Sequence, residues 1–186
     1  VCSIAGYGFE IYHDKAKDTV MAILMLAMMV PFVAVLVPLF QMFTKAKLIN
    51  SWTGFILPSI ATPFLIMYFR NSARSFPRDT LEAARIDGLN EFQIFIRMFI
   101  PMMKPTYASA ATITFMGAWN AYLWPKVVMQ TNEAITMPML VANTMGGYVI
   151  DYGVVMAAVT ICSLPTVIIF FCLQKSFTNA VAGAVK

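Results

Sequence analysis

At 186 residues, 60% of them hydrophobic and 12% charged, the chain has a mean hydropathy of +0.73. Soluble domains average about 25% charged and about 45 to 50% apolar residues, so in water a globule of this make-up would expose large apolar patches, which argues against a cytosolic enzyme. Thirteen Lys and Arg against nine Asp and Glu give a net charge of +4, and these charges lie between apolar runs rather than in one patch, so nucleic acid is not the partner they suggest.

The first twelve residues lack the basic region followed by an apolar run that a signal peptide requires, and they read as the end of a helix truncated at its N-terminus. His13 reads as a solvated loop residue. Four uncharged stretches are long enough to cross about 30 Å of hydrocarbon, which takes ~20 helical residues: Thr19 to Phe43, Thr53 to Phe69, Pro105 to Pro125 and Val154 to Leu173. Pro31 and Pro38 in the first, and Pro58 and Pro63 in the second, predict kinks that a membrane helix tolerates. Placing the longest polar loop inside the cell puts ten basic residues on that side and three, Lys45, Lys47 and Lys126, on the other, as the bias of cytoplasmic loops toward Lys and Arg demands. The fold class is therefore all-α, a polytopic membrane helical bundle. Cys2, Cys162 and Cys172 are odd in number and form neither a disulfide framework nor a zinc spacing. The 15 Met read as apolar filler.

The loop from Arg70 to Lys104 is too polar to span and too patterned for a slack linker. Asp79, with Glu82 three residues on, predicts a capped helix start, and Asp87-Gly88 predicts its end, because glycine accepts the left-handed backbone that follows a helix. Asn90 with Gln93 predicts a second cap. Phe92, Phe95, Ile96, Phe99 and Ile100 then recur with helical period as one apolar face, closed by Pro101 and Pro105. The expectation is a helix, a glycine turn and an amphipathic helix: a cytoplasmic elbow. Arg70, Arg74 and Arg78 read as topology and headgroup anchors.

Glu82-Ala83-Ala84-Arg85-Ile86-Asp87-Gly88, then nine residues, then Met98, Ile100 and Pro101, resembles the EAA loop of ABC-importer permeases. That pattern is E-A-A, three residues, G, nine residues and I-x-L-P; Met98 stands for its Ile and Ile100 for its Leu. Trp119-Asn120-Ala121-Tyr122-Leu123-Trp124-Pro125 resembles the W-N-D-F-L-x-P stretch of the carbohydrate-importing, maltose-type branch, with Ala121 in place of its Asp. Thr136-Met137-Pro138 and Gly183-Ala184-Val185-Lys186 resemble that branch's T-L-P and G-A-V-K.

The resemblance implies a type I importer permease, with residues 1–186 as one transmembrane domain lacking its N-terminal part and residues 70–104 as its coupling loop. It implies that the elbow sits in a cleft on an ATPase subunit, Glu82 facing a basic group there, Ala83 and Ala84 permitting close approach, Asp87 and Gly88 making the turn and Pro101 closing the segment. The implied partners are ABC ATPase subunits, a second permease subunit, an extracytoplasmic solute-binding protein and membrane lipid. The implied site is the bacterial inner membrane, crossed several times. The implied cargo is a carbohydrate, di- or oligosaccharide foremost, within a branch-level likeness that also covers monosaccharides and glycerol phosphates.

Asn120, with Trp119 and Tyr122, is a candidate lining of the translocation path, since an amide can bond hydroxyls while aromatic faces cover C–H surfaces. The competing reading gives Asn120 a helix-bridging role and the rings a place in the interfacial belt. No phosphate-binding G-x-x-x-x-G-K-[ST] loop is present, the lone His has no triad partner, and no cofactor or metal set is evident. Energy must then come from another subunit. The rival class is an ATP-independent channel or secondary transporter.

Overall fold

The computed structural model describes residues 1–131, 135–146 and 150–184, with side chains through residue 172. In chain order the elements are α1 (Cys2–Ile11), α2 (Lys15–Met28), α3 (Phe32–Lys45), α4 (Trp52–Ile56) with a 3-10 turn at Leu57–Ser59, α5 (Pro63–Ala73), α6 (Arg78–Ile86), α7 (Glu91–Ile94), a π-helical turn at Phe95–Phe99, α8 (Ile100–Met102), α9 (Lys104–Trp119), α10 (Leu123–Val128), α11 (Met137–Thr144) and α12 (Tyr152–Ala184). Among the described residues there is no strand. The Val185-Lys186 end of the G-A-V-K stretch lies outside them.

The expected spans are more broken than their hydropathy suggested. The first is two helices. Before Pro31, Met29 and Val30 donate back to Leu26 and Ala27 in a tightened last turn, and α3 restarts at Phe32. Pro38, by contrast, is carried inside α3. The second is likewise interrupted: Pro58 sits in the 3-10 turn and Pro63 opens α5, where its missing N–H costs no helical bond. The third stops at Trp119, so that α9, with 16 residues, is about 24 Å long and falls short of the hydrocarbon thickness. The fourth continues past its expected end, with Pro165 inside it. Tyr152–Cys172 is the one described helix long and apolar enough to cross a membrane by itself, and α2 with α3, or α4 with α5, reach that standard when each broken pair is taken as one span.

The chain divides into two compact units, Val1–Pro31 with Ser59–Ala110, and Phe32–Pro58 with Ala111–Lys186. In the first, α1 lies so close on α5 that a Cβ on Gly6 would stand 2.6 Å from the Phe69 Cβ and 2.7 Å from the Arg70 nitrogen, so only glycine fits. Cys2, Met21, Ile66, Phe69 and Ala110 form one buried cluster there. Tyr7, Ala73, Phe76, Leu81, Ala84, Ile94, Phe95, Phe99 and Met103 form another, which is the platform for the elbow. The second unit packs Phe43, Trp124, Val128 and Met129 into its own cluster. Large apolar side chains stay exposed along α2, α3 and α12, among them Leu26, Val33 and Phe171. A bilayer or another apolar helix is the environment that matches such a surface.

Candidate functional site

The elbow lies wholly in the first unit. Its first helix, α6, starts at Arg78 rather than after an Asp79 cap: Pro77 precedes it with φ −65°, already suited to helix entry, and no side chain caps it. Asp79 and Glu82 thus fall at the second and fifth helical positions, and the expected capping box between them does not form. Asp79 still meets the positive end of the helix dipole in the first turn. Glu82 is left exposed and, among the described residues, unpaired. It lines a polar cleft of about 140 Å³ with Glu10, Arg74, Arg78 and Arg85.

The turn is as the sequence predicts. Gly88 has φ +81°; its N–H donates to the Arg85 carbonyl at 3.1 Å, and the Leu89 N–H donates to the Ala84 carbonyl at 3.1 Å. Those two bonds are the Schellman closure, and Leu89 packs against the cluster holding Ala84, as that closure favours. Asn90 then opens α7 with both bonds of a capping box: Gln93 N–H to Asn90 Oδ1 at 2.9 Å, and Asn90 N–H to Gln93 Oε1 at 3.0 Å.

Burial sorts the residues of α6. Leu81 and Ala84 point into the core, whereas Glu82, Ala83, Asp87 and Gly88 are exposed and Ile86 is 86% exposed. The sequence expectation had Ala83 and Ala84 facing outward together; the structure separates them, because Ala84 shares the inward face with Leu81 three residues earlier. Ile86, which sequence patterning did not single out, is the large apolar side chain of the outer face.

The second helix of the elbow also departs from its predicted face. Ile94, Phe95 and Phe99 are buried, while Phe92 and Ile96 are exposed. The cause is the π turn, where the Ile100 N–H reaches back five residues to the Phe95 carbonyl. Pro101 has no N–H and its ring crowds the carbonyl of Arg97, and a widened turn ahead of it relieves that crowding while shifting the buried face by a residue. Pro101 does not end the helix, which runs on to Met102. Pro105 instead opens α9 within its first turn.

Two charge arrangements fasten the elbow. Across the glycine turn, Arg85 Nε lies 2.9 Å from Glu91 Oε1. Burial raises the Glu91 carboxyl, but the Tyr12 hydroxyl and the Arg85 guanidinium outweigh it and hold it below the usual carboxylate value. At the base, Arg70 is 8% exposed and not a headgroup anchor. Its guanidinium meets Glu10 at 3.3 Å and Asp18 at 2.7 Å, Arg74 meets the same Glu10 at 3.4 Å, and His13 meets Asp18 at 2.9 Å. The partners of Arg70 lie on α1 and α2, 60 and 52 residues away in sequence, and no local pattern announces them.

The aromatic stretch after α9 belongs to the second unit, and its members are engaged inside that unit. Trp119 Nε1 donates to the Cys162 carbonyl at 2.9 Å, in the part of α12 that Pro165 loosens. Asn120 is exposed and its Nδ2 donates to the Met116 carbonyl at 2.9 Å, closing α9. The Tyr122 hydroxyl accepts from Lys126 Nζ at 2.7 Å. Trp124 is buried, donates to the Gly54 carbonyl at 3.2 Å and meets the Phe43 ring edge-on at 5.1 Å. Thr136, the first residue of the T-M-P stretch, precedes α11 and donates to the Ala121 carbonyl at 3.4 Å. Among the described residues no group of three His, Cys, Asp or Glu side chains gathers that could hold a metal ion.

A family model described as "Binding-protein-dependent transport system inner membrane component" matches residues 3–183. The lactose transport system permease protein LacG of Rhizobium radiobacter is 41% identical over 186 residues, covering 100% of this chain and 68% of that protein. The arabinooligosaccharides transport system permease protein AraQ of Bacillus subtilis (strain 168) is 35% identical over 185 residues, covering 99% of this chain and 66% of that one. The chain thus spans about two thirds of the length of these curated relatives. In fold it is similar to the crystal structure of a bacterial ABC transporter involved in the import of the acidic polysaccharide alginate, with a TM-score of 0.82 and 23% identity over 94% of this chain and 66% of that chain.

Proposed function

The chain belongs to the family of binding-protein-dependent transport system inner membrane components, and from that premise we propose that it is the membrane-spanning permease subunit of an ABC importer for a carbohydrate. The observation that carries the reading is the outer face of α6. Glu82, Ala83 and the almost fully exposed Ile86 project from a helix whose other face, Leu81 and Ala84, is locked into the core, and the Gly88 turn fixes the projection. A rigid apolar knob flanked by carboxylates suits a socket with an apolar floor and a basic rim, the complement an ATPase subunit would offer.

On this reading residues 1–186 work as one permease domain crossing the inner membrane several times, and ATPase closure pushes the elbow at residues 70–104. Glu82 pairs with a basic group of the ATPase, Ala83 lets it come close, Asp87 and Gly88 hold the turn, and Pro101 with the wide turn before it passes displacement to α9. Ala84 contributes closeness to the chain's own core instead. The motion shifts the population between outward- and inward-open states. A second permease subunit and an extracytoplasmic solute-binding protein complete the importer. The names of the lactose and arabinooligosaccharide relatives support a di- or oligosaccharide cargo, and Asn120, with the faces of Trp119 and Tyr122, lines its path.

The test is Glu82→Lys and Gly88→Asp in the complete transporter. Both variants should reach the membrane, yet lose the ATPase subunits or the stimulation of their activity by loaded binding protein. Recovery of an unchanged, substrate-stimulated complex from either variant would refute the role. Uptake that survives ATP depletion and collapses with the ion gradient would mark a secondary transporter instead.

A further inference from the structure

The last two turns of α1 are tied to three other elements. Through Glu10 they hold Arg70 and Arg74 on α5. The end residue Tyr12 accepts, at the carbonyl oxygen, from the Lys17 ammonium of α2. One turn earlier, the Tyr7 ring meets Phe95 and Phe99 of the elbow edge-on, with centroids 5.3 Å and 4.8 Å apart, and the Arg85–Glu91 pair bridges α6 and α7. The elbow is therefore joined to the rest of the first unit by more than the chain leading in from α5 and out to α9: Tyr7, in one buried cluster with Leu81, Ala84, Phe95 and Phe99, ties it to α1 directly.

We propose that Arg85 and Glu91 are positioning residues for coupling: the pair fixes the angle between the two elbow helices, and Tyr7 seats their inner face on α1, so that a displacement of the knob drives α1 directly. The inference rests on the reading of the elbow as the ATPase-coupling element and adds to it a second output. Geometry assigns the parts. Arg85 stands in the last turn of α6, where its charge also favours the negative end of the helix dipole. Glu91 is the first residue of α7, so a bond between them spans the turn and opposes its opening. α1 in turn contacts the α5 backbone at Gly6, which gives the motion a rigid follower. Spatial adjacency alone does not establish coupling, whereas an energetic interaction between the two partners of the pair does.

The experiment uses the complete transporter reconstituted in liposomes, and measures substrate taken up per ATP hydrolysed at equal amounts of assembled complex. Arg85→Glu and Glu91→Arg should each assemble with the ATPase but lower that ratio about threefold to fivefold, the scale an exposed ion pair can carry. The charge exchange Arg85→Glu with Glu91→Arg should bring it back to within about twofold, as direct coupling between two partners requires. Tyr7→Leu, which removes the ring contacts with Phe95 and Phe99, should lower it about twofold. An unchanged ratio in both single variants, or an exchange that assembles normally and regains nothing, overturns the proposal. Glu82→Lys, measured alongside, separates the two ideas. If it detaches the ATPase while the Arg85 and Glu91 variants behave as the native protein, only the positioning role fails; if it changes nothing, the coupling reading itself fails.

Discussion

The elbow and the aromatic stretch at 119–125 carry similar weight in the sequence, yet the structure uses them in opposite ways. In the elbow, the motif residues Glu82, Ala83, Asp87 and Gly88 stay exposed, as does Ile86, while Leu81 and Ala84 reach into the platform. In the aromatic stretch, Trp119 and Trp124 donate their indole N–H groups to carbonyls of α12 and α4, and Tyr122 is held by Lys126. One motif keeps its side chains exposed; much of the other is consumed in holding its own unit together. A motif's residue types therefore indicate function less well than which of its polar atoms remain unspent.

That contrast can be broken most forcefully at Trp124. Its replacement by Ala should remove about 3 to 5 kcal/mol of stability, the usual result for a buried aromatic, and leave the Gly54 carbonyl without its donor. Thermal unfolding of the purified variant checks this, and a native-like midpoint would show that the stretch is not structural after all. Arg70→Met comes next. It leaves Glu10 to the exposed Arg74 and Asp18 to His13, and the two carboxylates are 17% and 44% exposed, so the loss should be about 2 kcal/mol, below the range of a fully buried pair. The same unfolding measurement reads it, with the Arg70→Met/Asp18→Asn double variant expected to recover part of the loss.

The smallest effect sharpens the comparison on the elbow side. The Glu91 carboxyl is held below its ordinary value of 4.5, so the folded state binds this proton less readily than the unfolded one. The stabilisation from Glu91 is complete above that ordinary value and fades as pH falls through the lower, folded one. Compared with Glu91→Gln, the native protein should be more stable at neutral pH by less than about 1 kcal/mol, since both partners are roughly two-fifths exposed. The advantage should vanish as the pH drops below 4.5. A difference in melting midpoint that stays unchanged from pH 7 to well below 4.5 would count against the bridge.

Much of the elbow was legible because its signals are local. Gly88 needs a positive φ that its neighbours announce, and Asn90 meets Gln93 three residues away. The helical class, too, followed from uncharged runs of sufficient length. What stayed hidden depends on distance in the chain or on a local competition. Arg70 finds its carboxylates on α1 and α2, and Trp124 finds Gly54 70 residues away. Ile86 becomes the outermost apolar side chain only once Leu81 and Ala84 have claimed the inner face. The Asp79 cap lost to Pro77, which starts the helix two residues sooner, and the face predicted from Phe92 lost its register to the wide turn ahead of Pro101. Hydropathy alone could not tell one long span from two helices parted by a proline, as at Met29 to Pro31.

The seam at Gly6 has a mechanical meaning. Two helices that meet backbone to backbone have no cushion of side chains to slide over or to repack, so any tilt given to one must be taken up by the other as if they were a single beam. A methyl group at that point would pry the beam apart against the Arg70 backbone itself, and the damage would surface in the clasp of Arg70 with Glu10, one turn further along α1.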